Sequence, residues 1–218
     1  VSAADTRVVC YVTDWVAGRW TIAKNLDPGL CTHVMLSFAS IDSSGQLVPL
    51  GSDASPGGFY EQAVALKSTN PALKVLLAVG GASAGTWPFT QLSDAAKRSK
   101  FISQSASFLK QYKLDGLDID WEFPDAGSKT LFTTLLKELK AAYGPQGLLV
   151  TVATAAGKWT LDQGYEMSEV VKHVDQLNLM SYDLHGTWDS QIGHNAPLYA
   201  RSDEAEKTLN VDFAAQYW

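Results

Sequence analysis

Asp118, Asp120 and Glu122 stand at alternate positions in the stretch LDGLDIDWEFPD, residues 114–125, with Asp115 three residues ahead of the first. Alternate side chains of a strand share a face. The three acids therefore line one side, and Leu117, Ile119 and Trp121 line the other. Three carboxylates on one face cannot all ionise cheaply, because like charges a few ångströms apart raise at least one pKa. The outermost, Glu122, then holds a proton near neutral pH when a neighbouring carboxyl shares or holds one, which is how a general acid is made. Two other readings compete. One is a set of solvated acids in a loop, against which the interleaved Leu, Ile and Trp argue. The other is a hard-cation site, since acids at this spacing can ligate Ca²⁺ or Mg²⁺. Asp115 lies off the alternating set and reads as structural.

Six apolar runs supply candidates for the elements that hold such a strand: residues 7–15, 31–41, 73–81, 114–123, 147–156 and 174–184. Near-continuous apolar runs fit strands buried on both faces, as in parallel sheets. Helix-like stretches lie at 57–71, 93–112, 127–144, 161–174 and 202–218. In the second, Ser93 is the expected cap, and Phe101, Ile102, Phe108 and Leu109 form a stripe around the small Ser105. Strands alternating with helices predict an α/β fold. An open doubly wound sheet would bring a glycine-rich turn after its first strand, and none is present. A (β/α)8 TIM barrel fits better, although eight strands and about 250 residues are usual and six strands are counted here. In a barrel the apolar trio faces the helices, so the acids face the axis and climb toward the C-terminal mouth, where barrel enzymes keep their chemistry.

Composition bounds the partners. The chain has 218 residues, 46% hydrophobic and 18% charged, with 17 Lys and Arg against 23 Asp and Glu, a formal net charge of −6. An acidic chain without a basic run is a poor partner for nucleic acid or an anionic membrane surface. No apolar run approaches the roughly 18 to 20 residues that span a bilayer. Cys10 and Cys31 are too few for a disulfide scaffold or an ordinary zinc site; two free thiols or one bridge remain open.

The acid stretch resembles the D-G-x-D-x-D-x-E signature of glycoside hydrolase family 18, the chitinases and chitinase-like lectins. KVLLAVGG (residues 74–81) is similar to that family's third strand, and LNLMSYDLHGTWDSQIGHNAPLY (177–199) to its sixth strand and following loop. VVCYVTDW and LCTHVMLSFA resemble the first two strands with their cysteines. The resemblance runs along essentially the whole chain and lies nearest to animal-type secreted chitinases. It implies retaining, substrate-assisted hydrolysis of β-1,4-linked N-acetylglucosamine polymers. Glu122 would be the general acid. Asp120 would orient the substrate acetamide and stabilise the oxazolinium-type intermediate, and Asp118 would share a proton with Asp120. Tyr182 would contact the acetamide. Tyr11, Phe38, Gly81, Met180, Asp183 and Trp188 would bind sugar, with Trp188 on the leaving-group side. Ordinary core packing remains open for Met180. Cys10 and Cys31 would form the family's bridge, and with it secretion is expected. Chitin or chito-oligosaccharides are the implied partners of a monomer, without cofactor or metal.

The sequence departs from this pattern in two ways. Ala82 follows Gly81 where animal members usually place Trp, which removes a stacking platform on the non-reducing side and predicts weaker binding of long oligomers. Residues 1–218 correspond to the N-terminal and central part of the catalytic barrel. A seventh strand is expected after Trp218, and strands seven and eight and the usual inserted α+β domain are absent. The chain thus reads as a fragment, expected to turn over little substrate unless something completes the barrel. Two rivals share the fold: a non-catalytic chitin-binding lectin, against which the presence of Glu122 argues, and an endoglycosidase acting on N-glycan cores. Trp15, Trp20 and Trp87 have no assigned role and read as core or surface packing.

Overall fold

The computed structural model describes residues 6–13, 22–49 and 54–218. Trp15, Trp20 and the last two positions of the first expected strand lie outside the described residues. The six expected strands form one curled parallel sheet. β1 (Val9–Thr13) pairs with β2 (His33–Ile41), and β2 with β4 (Lys74–Gly80). The order continues through β5 (Gly116–Asp120), β6 (Leu149–Thr154) and β7 (Gln176–Leu179). β3 (Leu47–Pro49) is an addition that periodicity did not reveal; it pairs antiparallel to the end of β2. The turn between them has its own signal: Asp42 accepts hydrogen bonds from the Ser44 and Gln46 amides, and Gly45 takes φ 77°. This is the six-unit β/α sheet of a TIM barrel, with helices on its outer face.

Helix boundaries shift where local chemistry overrides the apolar stripe. α4 (Ala95–Gln111) is capped by Asp94 rather than by the expected Ser93: the Asp94 carboxylate accepts from the Ala96 and Lys97 amides at 2.8 and 3.1 Å. Asp94 is extended and so presents its oxygen to those free amides. The stretch expected as one helix at 161–174 is two, α6 (Lys158–Gly164) and α7 (Met167–Val170), because Tyr165 adopts an extended conformation between them. Only α8 (Val211–Tyr217) forms in 202–218, started by Asn210, whose side chain accepts from the Phe213 amide. α2 (Phe59–Ala65) and α5 (Lys129–Tyr143) lie within their expected ranges, while α1 (Ile22–Asn25) and α3 (Trp87–Thr90) are too short to carry a period.

The two faces of the acid strand separate as alternation requires. Leu117, Ile119 and Trp121 join the main core with Leu77, Val79, Val150 and Val152 and the helix residues Phe101, Leu109, Phe132 and Leu135. Trp121 is completely buried, stacked on Phe89 at 5.0 Å and edge-on to Phe132 at 6.0 Å. The series continues edge-on through Tyr165 to Trp218. Inside the curl, Met35, Leu76 and Ala78 form a small separate cluster beneath the acids. The small Ser105 admits the Tyr143 hydroxyl at 2.7 Å and so joins α4 to α5.

Asp115 is structural, and the structure repeats its device. At the foot of β5, Asp115 accepts the Val75 amide of β4 at 2.7 Å and meets Lys67 at 2.5 Å. At the foot of β7, Asp175 accepts the Val150 amide of β6 at 2.9 Å and pairs with Lys140 of α5. Each carboxylate satisfies the amide of the second residue of the neighbouring strand and is itself met by a lysine from the outer layer. Cys10 on β1 and Cys31 ahead of β2 are joined as a disulfide.

Candidate active site

β5 delivers the acids at its C-terminal end. Asp118 and Asp120 are its last inward-facing positions and are buried; Glu122, two residues further on, is partly open. β4 must pass close beside them. Gly80 and Gly81 make this possible: they take φ 113° and 84°, and a Cβ on Gly80 would lie 2.1 Å from the Asp120 carbonyl oxygen. A Cβ on Gly81 would lie 2.8 Å from the Phe38 ring. The Gly81 amide donates to that same Asp120 carbonyl at 2.9 Å. The Ser37–Phe38 and Glu122–Phe123 peptide bonds are cis.

The three carboxyls sit in different surroundings. Asp118, at the bottom, receives three donors: Thr151 at 2.5 Å, Tyr11 at 2.8 Å and Asn178 at 3.2 Å. Burial pushes its pKa up, and these donors pull it back. Asp120 has no such shell, and no donor reaches its buried Oδ1. Burial first, then the charges of Glu122 and Asp118, push its pKa up to about 8. Its hydrogen-bonding neighbour is the Glu122 carboxyl, so one proton between the two satisfies both. Glu122 is raised by burial, an effect opposed by Asp120 and by the Ala82 amide, which donates to it. The Tyr11 phenol is raised by burial and by Asp118 and stays protonated as a donor.

A cleft of about 980 Å³ opens above this ladder. It brings together Tyr11, Phe38, Gly81, Asp120, Glu122, Met180, Tyr182 and Asp183, all singled out from sequence. Asp118 lies beneath the lining. Trp188 does not line this cleft; it is 65% exposed on the loop that follows β7. Trp87 is likewise at the surface. β7 ends at Leu179, earlier than expected, so Met180, Tyr182 and Asp183 sit on that loop. Asp183 takes φ 52°, and its Oδ1 accepts Asn195 at 2.6 Å. Burial and the Asp120 and Glu122 charges raise the Tyr182 phenol.

Sequence reasoning missed Asn178 and Thr151. Alternation held the signal for both: Asn178 shares a face with Met180 and Tyr182, and Thr151 shares one with Ala153. Asn178 also donates to the Tyr11 phenol at 3.0 Å, which joins β7 to β1 through the interior. Among the described residues no group of three or more His, Cys, Asp or Glu is arranged to hold a metal ion. No helix among them is long and apolar enough to cross a membrane.

Comparison with known proteins gives a consistent set. The profile of glycosyl hydrolases family 18 matches residues 7–218. Probable chitinase 2 of Drosophila melanogaster is 37% identical over 231 residues, covering 98% of this chain and 47% of its own length. The crystal structure of Ostrinia furnacalis Group IV chitinase superposes with a TM-score of 0.91 at 38% identity, over 98% of this chain and 62% of that one. That chitinase has also been solved in complex with allosamidin. Human YKL-39, described as a pseudo-chitinase with retained chitooligosaccharide binding properties, superposes at 0.90 with 34% identity, over 97% of this chain and 62% of that one. The chain thus spans about half the length of the curated chitinase it matches.

Proposed function

The chain belongs to glycosyl hydrolases family 18, and from that premise we propose that its cleft hydrolyses β-1,4 bonds between N-acetylglucosamine units of chitin. The observation that carries this reading is the Asp120–Glu122 pair: two buried or half-buried carboxyls, both with raised pKa, at the floor of a cleft of about 980 Å³. Glu122, the outer member, protonates the glycosidic oxygen as the bond to the anomeric carbon breaks. The substrate's own acetamide oxygen attacks that carbon from the opposite face, giving an oxazolinium. Asp120 accepts the acetamide N–H and stabilises the positive charge, and the Tyr182 phenol donates to the acetamide oxygen. Water, deprotonated by the Glu122 carboxylate, then attacks the same carbon and reopens the ring with retained configuration. Asp118, fixed by Tyr11, Thr151 and Asn178, lies beneath Asp120 and would share a proton with it. Phe38 and Met180 offer apolar surface to the sugar rings, Asp183 a polar contact, and Trp188 a stacking face beyond the lining.

Chito-oligosaccharides are the partners of this reading, and the chain acts as a monomer. The Cys10–Cys31 bridge supports an extracellular, oxidising setting. A lectin reading is favoured by one observation: YKL-39, of similar fold, is a pseudo-chitinase that binds chito-oligosaccharide. Glu122→Gln tests both. Loss of turnover on a fluorogenic chitobioside with retained oligomer binding supports the catalytic role, and hydrolysis that survives in the variant refutes it. Both measurements are made on the full-length protein, and a wild type that binds oligomers there and hydrolyses none supports the lectin.

A further inference from the structure

The loop after β7 carries two parts of the proposed machinery, Asp183 in the cleft and Trp188 outside it, and one side chain sits between the contacts that fold it. His185 is nine-tenths buried. Its Nδ1 lies 3.1 Å from Asp189 Oδ2, and its Nε2 lies 3.0 Å from Glu204 Oε1. The first contact has hydrogen-bond geometry; the second is close but poorly directed, and Nε2 finds no other partner. The same Asp189 oxygen accepts the Gly186 amide, and the Asp189 amide donates to the Gly186 carbonyl, closing the turn that bears Trp188. Glu204 in turn accepts the Arg201 amide at 2.9 Å.

The backbone is moulded around these rings. A Cβ on Gly193 would lie 2.5 Å from the His185 ring, and one on Gly186 would lie 2.3 Å from the Trp188 indole. Asn195 closes the other side: its carbonyl accepts the Leu184 amide at 2.9 Å, and its side chain holds Asp183. Residues 183–204 thus form one unit with His185 at its centre.

We propose that His185 is a positioning residue for the leaving-group side of the cleft, and that its buried ring, bonded to Asp189 and packed against Gly193, fixes the turn that presents Trp188. For what Trp188 does, this rests on the chitinase reading; for how the turn is held, it rests on the contacts alone. Asp189 and Glu204 face the ring, and Arg201, Asp203 and Glu206 line the same hollow, with Arg201 bound to Asp203.

Two measurements test this on the chain with and without His185→Gln. In hydrogen exchange, protection of the Leu184 and Asp189 amides, corrected for intrinsic rates, is expected to be about fivefold lower in the variant, as for a buried hydrogen bond of about 1 kcal/mol, and to fall likewise in Asp189→Ala. Wild-type protection kept at these two amides in both variants overturns the clamp, and the second variant keeps the test open if His185→Gln folds poorly. In kinetics, the His185→Gln variant is expected to raise KM for chitohexaose about fivefold with kcat little changed, and to raise KM for a fluorogenic chitobioside, whose only group on that side is the fluorophore, by less. An equal effect on both substrates overturns the leaving-group-side role. If wild type hydrolyses neither substrate, exchange alone decides whether His185 holds the turn.

Discussion

Asp120 stores a cost that a single substitution releases. Its carboxyl is buried, lacks a donor at Oδ1, and has its pKa pushed up to about 8, against about 3.9 for an exposed aspartate. A carboxyl that binds its proton more tightly when folded than when unfolded makes stability fall as pH rises between those two values. From pH 5 to pH 8 the unfolded group is already ionised while the folded one is being forced to ionise. Three pH units at about 1.4 kcal/mol each would amount to about 4 kcal/mol, and sharing the proton with Glu122 reduces this to about 3. Asp120→Asn removes the titration, keeps the volume and supplies an N–H toward Glu122. Urea unfolding of both proteins at pH 5, 6, 7 and 8 reads the effect. The variant is expected to gain about 3 kcal/mol relative to wild type across that range, with the two m-values alike. Curves that run parallel within about 0.5 kcal/mol would refute the idea that the site holds a proton on Asp120 at the expense of stability.

Two further outcomes follow from features described above. Replacing both Cys10 and Cys31 by serine opens a 21-residue separation and is expected to lower stability by about 3 kcal/mol, read as a shift in urea midpoint that wild type reproduces only under reductant. Ala82→Trp is expected to tighten binding of chitohexaose about fivefold, worth about 1 kcal/mol of stacking, with a smaller effect on chitobiose; calorimetry showing no gain would remove Ala82 from the cleft's sugar-binding side.

The fold was legible where period and chemistry agreed. The alternation in residues 114–123 told which side chains enter the core and which enter the cleft, and Leu117, Ile119 and Trp121 lie where it put them. The six parallel strands were readable because each lies in a short, mostly apolar run. β3 was not, since three residues are too few to show a period. The Asp94 cap beside Ser93 was hidden because both residue types cap helices and only the backbone decides which one is extended. Within the site, Tyr11 on β1, Phe38 on β2, Gly81 just past β4 and the residues after β7 were reached by likeness of motif. Thr151 lies outside the quoted motifs and Asn178 inside one; alternation gives the face each occupies, but their meeting at Asp118 arises from register across β5, β6 and β7, which a single run of sequence does not contain. His185 and its carboxylates are 4 and 19 residues apart and meet only through the path of the loop.

The carboxylates at the feet of β5 and β7 give the molecule a mechanical polarity. Asp115 and Asp175 each tie a strand's first turn of backbone to its neighbour and to a lysine of the outer layer. At the other end of the same strands, the acids of the ladder make no such cross-strand tie to a backbone amide of β6, and the chain leaves the sheet through glycines and loops. Rigidity is anchored at one rim and compliance is left to the other. The loops over the cleft can therefore lengthen, shorten or exchange residues, as Ala82 illustrates, without loosening the frame that holds the acids in line.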